Sequence, residues 1–184
     1  MKLVLLDQPV DYDGRQLATA FVDRWAPNVD DALILFTGVA DVPPENMVDL
    51  EDAEAGAGIY SPRMAHAIVE HRGIELTEAV CRQRLLMRLA AEWVGARSGV
   101  PVAVRGDDLF VGPGKLSVSI ATRSPRSCLI HAGFNVETEG TPVVTAGLAD
   151  LRLRASDFLR GLGRLYADEV GSVERAVKKV RPVA

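Results

Sequence analysis

The sequence predicts an α+β protein: a mixed, mostly antiparallel sheet covered by helices. Three observations predict it. Apolar and alternating runs stand both before and after one long helical segment, several are joined by tight Gly or Pro turns, and a second helical segment closes the chain. Residues 2 to 6, KLVLL, read as a short buried strand ended by Asp7-Gln8-Pro9. Asp13-Gly14 is a turn signal, and Leu17, Ala20, Phe21 and Trp25 follow at helical spacing before Pro27. Ala32 to Phe36 is a second strand. Residues 39 to 63 hold Pro43-Pro44, two glycines and six acidic side chains, and read as a long loop, functional or mobile, that includes a Gly56-Ala57-Gly58 turn.

MAHAIVEH, from Met64 to His71, resumes as a strand. The clearest helix runs from Thr77, an N-cap with Glu78 in the first turn, to Gly95 or Gly99. Its apolar stripe comprises Val80, Leu85, Leu86, Leu89, Ala90, Trp93 and Val94. Short strands then alternate with turns at Gly106-Asp107-Asp108 and Gly112-Pro113-Gly114, and CLIHAGFNV returns as a strand. The last helix, capped by Ser156, carries Phe158, Leu159, Leu162, Leu165 and Tyr166, and Gly171 is a candidate break. We expect one domain over 1–184, with 155–180 a helical segment packed on it.

Composition narrows the function classes. Net charge is -4 and pI near 5.4, with Lys and Arg scattered, which argues against a nucleic-acid-binding surface. Two cysteines imply no disulfide framework. No run approaches the roughly 18 apolar residues of a membrane span. A cytoplasmic location is expected, with no nucleic-acid or membrane partner. Edge strands and the last helix are compatible with a homodimer.

The stretch GKLSVSIATRSPRSCLIHAGFNV carries the chemistry. Side chains alternate along a strand, so Lys115, Ser117 and Ser119 share one face, while His131, Gly133 and Asn135 share a face of the return strand. Pairing Ser119 with His131 sets Ser117 opposite Gly133 and Lys115 opposite Asn135, with Arg123 to Ser127 as the loop. The result is a polar groove floor, open over Gly133, in which Lys115 holds a carboxylate or phosphate as a point charge. A one-residue slip would part these groups. The competing reading is a solvent-facing strand pair.

Other groups extend the candidate site. Arg82 and Arg84 project about 200° apart on a helix, so at most one faces the groove with Lys115. Arg105, Asp107 and Asp108 flank the adjoining turn. His66 and Glu70 share a strand face, and Glu70 reads equally as an ion-pair partner or a general base. Histidines 66, 71 and 131 lack zinc-site spacing, so no metal is expected. The acidic loop at Asp49 to Glu54 reads as a solvated surface or a magnesium-nucleotide contact.

Several stretches together resemble the domain-of-unknown-function family 366: YDG at 12–14, FTG at 36–38, VDLED at 48–52, MAHAIVEH at 64–71, RQRLLM at 82–87, RGDDLFV at 105–111, KLSVSIAT at 115–122 and HAGFNV at 131–136. More distantly, GDDLFVGPGKLSVSIAT and CLIHAGFNVETEG are similar to the core of the biotin and lipoate protein ligase/octanoyltransferase superfamily. This implies a class II synthetase/biotin-lipoate ligase-like fold. It also implies that Lys115 matches the lysine contacting the acyl carbonyl and phosphate, that Asp107 or Asp108 matches the acidic turn, and that ATP with magnesium is the cofactor to consider. The chain departs from the pattern at SPRMAHAIVEH, which lacks the glycine run that cradles an adenylate.

The expected function is a small-molecule-binding enzyme performing acyl or adenylyl transfer on a carboxylated or phosphorylated metabolite. Lys115 would stabilise negative charge while His131 or Glu70 moves protons. The alternatives are a non-catalytic ligand-binding domain of the same fold and a structural or interaction protein.

Overall fold

The computed structural model describes residues 1–56 and 58–183, so the expected Gly56-Ala57-Gly58 turn falls partly outside the described residues. In chain order the elements are β1 (Lys2–Leu5), α1 (Thr19–Trp25), β2 (Asp31–Val42), α2 (Leu50–Glu54), β3 (Ile59–His71), α3 (Leu76–Ser98), β4 (Ala103–Arg105), β5 (Asp108–Val111), β6 (Gly114–Lys115), β7 (Ser117–Arg123), β8 (Cys128–Glu137) and α4 (Ala155–Lys178). The main sheet has the order β1-β2-β3-β8-β7, and β4-β5-β6 form a small second sheet. Only the β1–β2 pairing is parallel among the described strands. The α+β architecture is as the sequence predicts.

The sheet has two dissimilar faces, each with its own cover. Leu33, Leu35, Ala65, Ala67, Val69, Ile130, Ala132 and Phe134 meet the buried faces of α3 and α4. Ile34, Phe36, Ile68 and Leu129 meet Val22 and Ala26 around α1, together with Tyr12 from the segment before it. Central strands buried on both faces read as continuous apolar runs, and for that reason ALILF is nearly pure hydrocarbon.

Boundaries differ from expectation in four places. Strands β2 and β3 continue pairing out to Val42 and Ile59, which shrinks the long loop to 43–58 and leaves room there for a 3-10 turn and α2. Helix α1 is only seven residues, because Gly14 to Ala18 form turns instead. Helix α3 starts at Leu76, with Glu75 rather than Thr77 as its cap residue, and ends at Gly99. Helix α4 runs through Gly171 without a break, with Arg154 preceding it as cap residue. Its first turns lie against α3 and the sheet, where packing outweighs the weak helical preference of glycine.

Helix α4 is tied to the sheet by a buried polar relay. The Tyr166 hydroxyl lies 2.9 Å from His71 Nε2, and His71 Nδ1 lies 2.9 Å from Asp31 Oδ2. Both rings are fully buried. Tyr166→Phe therefore leaves a buried imidazole nitrogen without a partner, and a loss of about 1–3 kcal/mol is expected in urea unfolding. An unchanged midpoint would show that the relay adds nothing to stability.

Candidate functional site

The β3–β8 and β8–β7 registers decide which side chains meet. Met64 pairs with Asn135, His66 with Gly133 and Ile68 with His131, while Val118 pairs with Gly133 and Ile120 with His131. These residues share the face turned away from α3 and α4. Beside them opens a hollow of about 380 Å³, lined by Tyr12, Met64, His131 and Asn135 at its base and by residues 46–49, 52, 58–60, 141–143 and 145 around its rim. Lys115, Asp107, Asp108 and Ser119 close it where it wraps round the edge strand β7.

Lys115 is held by its backbone. Its N–H donates to the Val144 carbonyl, and its own carbonyl accepts from Ala146 N–H and from the Asn135 side-chain amide at 3.1 Å. Gly114 permits this clamp, since a Cβ there would stand 2.8 Å from the backbone of Thr145 and Ala146. The lysine Nζ pairs with Asp108 at 2.9 Å.

His131 is the centre of a buried aromatic stack. Tyr12 lies over it with ring centroids 3.8 Å apart and planes within 13°. His131 Nε2 is 3.1 Å from His66 Nδ1, and Phe36 stacks on His66 in turn. Burial holds His66 down to about 3, opposed by the Gly38 carbonyl, and burial with the neighbouring His66 pushes His131 well below the ordinary imidazole range. Both rings are neutral at pH 7. Burial and nearby Asp13 push the Tyr12 hydroxyl up, so it stays protonated. His131 is accordingly a hydrogen-bonding group and a poor proton acceptor at neutral pH.

Several expected site residues stand elsewhere. The β7–β8 register is one residue away from the expected one, with Ser119 opposite Ala132 and Ser117 opposite Phe134. The strand changes sheets at Leu116, which resets its parity. Ser117 is therefore buried, and its hydroxyl accepts from the Leu109 N–H of the small sheet at 2.9 Å. Ser119 donates to the Asp107 carbonyl at 3.0 Å and accepts from Gln83 at 2.7 Å, so it reaches only the edge of the hollow.

Glu70 shares the face of His66 but lies beyond Ile68, bonded to the Ser127 hydroxyl at 2.5 Å and outside the hollow. Arg82 and Arg84 belong to α3, on the opposite face of the sheet. Arg82 binds Glu78, His71 and Asp31, and Arg84 is exposed near Gly106. Arg105 covers the Phe110 ring. The space over Gly133 is filled by Met64, whose sulfur lies 3.2 Å from where a Cβ would stand. The anion pocket expected between helix and sheet is absent among the described residues.

Lys115, His131, Asn135, Asp107 and Asp108 do line one hollow, with Ser119 at its edge. Sequence reasoning left out Tyr12, Met64 and Gln83, and did not place Asp49 and Asp52 at the rim. Only DYDG carried a signal, since an aromatic set among acidic residues in a turn is out of place unless its ring is buried elsewhere.

A nucleotide triphosphate does not fit these residues. No arginine reaches the hollow among the described residues, its lysine is already paired, and Asp49, Asp52, Asp107 and Asp108 line it. Among the described residues no group of three His, Cys, Asp or Glu could hold a metal ion. No helix there is long and apolar enough to cross a membrane.

The architecture is that of the biotin/lipoate protein ligase catalytic domains. A biotin protein ligase from Aquifex aeolicus superposes with a TM-score of 0.61 at 12% identity, covering 95% of this chain and 71% of that one. A bi-partite lipoate protein ligase from Thermoplasma acidophilum gives 0.60 at 14% identity, covering 91% and 82%. At such identity these likenesses show the fold alone.

The chain belongs to the family described as Domain of unknown function (DUF366), which matches residues 1–181. It is similar to an uncharacterized protein of Methanocaldococcus jannaschii, 31% identical over 190 residues, covering all of this chain and 86% of the relative. A protein of unknown function from Pyrococcus horikoshi superposes with a TM-score of 0.94 at 33% identity, covering 100% of this chain and 99% of that one.

Proposed function

We propose that the hollow binds a small acyl metabolite and that the domain transfers its acyl group, with Lys115 polarising the carbonyl. The observation that supports this is the convergence of Lys115, His131 and Asn135 on one open hollow of about 380 Å³, a size suited to a small ligand. The polar groups at its base come from the central strand β8, with His131 held by stacking on Tyr12 and Asn135 by its bond to the Lys115 carbonyl, so they are preorganised. Asn135 and the neutral His131 orient the ligand, and Met64 shapes the floor. No adenylyl step is part of this reading, because the residues present do not fit the nucleotide.

One observation favours a second reading, ligand binding without turnover. Glu70 lies outside the hollow and burial holds His131 neutral at pH 7, so neither residue expected to move protons is placed to act as a general base beside Lys115. The experiments separate the two. Thermal-shift measurements with short acyl thioesters and N-acyl amides should raise the melting temperature of the wild-type chain. Lys115→Ala should abolish that response and change the unliganded stability by no more than about 1 kcal/mol, as for an exposed ion pair. No response to any acyl compound would defeat both readings, and binding without release of the acyl group would leave the second.

A further inference from the structure

The charge lining the hollow is opposite to what an anionic ligand needs. Asp108 is neutralised by Lys115 at 2.9 Å, but the other three carboxylates have no cationic partner within 4.0 Å among the described residues. Asp107 Oδ2 accepts only from neutral donors, the Gln83 amide at 2.9 Å and the Ser119 hydroxyl at 3.4 Å. Asp49 accepts from the backbone N–H groups of Glu51 and Asp52. Asp52 shares the rim with both.

An independent observation comes from the base of the hollow. Asn135 and His131 are each 4% exposed and line the cavity. The Asn135 amide nitrogen donates to the Lys115 carbonyl, which leaves its Oδ1, an acceptor, without a hydrogen bond among the described residues. His131 uses Nε2 on His66 Nδ1, leaving Nδ1. Which ring donates in that contact is set by the tautomer, so the acceptor that the geometry assigns at the base is Asn135 Oδ1. A buried acceptor and three uncompensated carboxylates thus line a space whose other walls include the apolar side chains of Val42, Met47, Ile59, Met64, Val118 and Ile120.

We propose that the ligand of this hollow carries a protonated amine on an apolar body, a substrate class that rests on reading the hollow as a small-molecule site. An ammonium group supplies an N–H donor to an acceptor, Asn135 Oδ1, that has none, and positive charge to carboxylates that lack it. A carboxylate or phosphate meets the reverse on both counts, because the one lysine is already engaged.

The test uses three probes of nearly one shape: 2-phenylethylamine, phenylacetate and 2-phenylethanol, titrated into the whole chain labelled with nitrogen-15. The amine is expected to perturb amides lining the hollow and to bind about tenfold or more tighter than phenylacetate. Asp52→Asn should weaken the amine about two- to fivefold and leave the alcohol unchanged. Lys115→Gln should tighten the amine, since it frees Asp108. Tighter binding of phenylacetate, or equal binding of amine and alcohol, overturns the amine assignment while the hollow stands as a site. If none of the three perturbs the hollow, the assignment and the reading beneath it both fall.

Discussion

Acidifying the protein from pH 7.5 to 5.0 is expected to remove about 2 kcal/mol of unfolding free energy through His66 alone. His66 is fully buried and held down to about 3, against 6.5 when exposed. The folded imidazole stays neutral across this window, while the unfolded chain takes up a proton below about pH 6.5. The unfolded state therefore binds more protons, and stability rises with pH. The contribution is complete above pH 6.5 and is lost as pH falls from there toward the folded value. His131, also depressed by burial and by His66, acts with the same sign and adds to that loss. That is a large share of a typical domain's stability. Urea unfolding at the two pH values measures the loss, and imidazole proton shifts at residues 66 and 131 should not move between them. Rings that titrate near pH 6.5 in the folded protein would mean that the stack is open to water.

Gly38→Ala is expected to cost about 3 kcal/mol and to lower the melting temperature by roughly 6–12 °C. A Cβ at residue 38 would stand 1.9 Å from the Val10 carbonyl oxygen, and no rotamer change relieves a clash with backbone. The segment displaced is the one that carries Tyr12, which is bonded to β2 through Val10 N–H to Thr37, Tyr12 N–H to Val39 and Asp41 N–H to Tyr12. Pushing it away lifts the Tyr12 ring from His131, so ligand response in the hollow should fall with stability. Calorimetry and the thermal-shift panel measure the two effects. A variant as stable as wild type would show that the close approach of residues 10 and 38 is not required.

Much of the architecture was legible because it depends on local pattern. The period of α3 reads from Leu86, Ala90, Trp93 and Val94, all buried as expected, and the run ALILF reads as a central strand. Leu165 shows the limit of that reasoning, since it fits the stripe of α4 yet is 40% exposed. The candidate site was legible only in part. Lys115, His131 and Asn135 stood out as polar groups among apolar neighbours, and they line one hollow. The serines stood out for the same reason, but their hydroxyls serve the small sheet and α3. A hydroxyl that satisfies a distant backbone N–H looks the same in sequence as one that faces a ligand.

Side-chain periodicity was enough to define the main strands and the two long helices, the two-sided burial of the central strands and the sparing use of polar groups within them. The tertiary structure decided the rest. A switch between sheets at Leu116 reset strand parity, and the α3 arginines fell on the far side of the sheet from Lys115. Tyr12 and the acidic rim of α2 were brought to the hollow from distant parts of the chain. Such pairings turn on register and on which face a connection crosses. A single residue of shift reverses both, while the hydrophobic pattern along each segment stays the same.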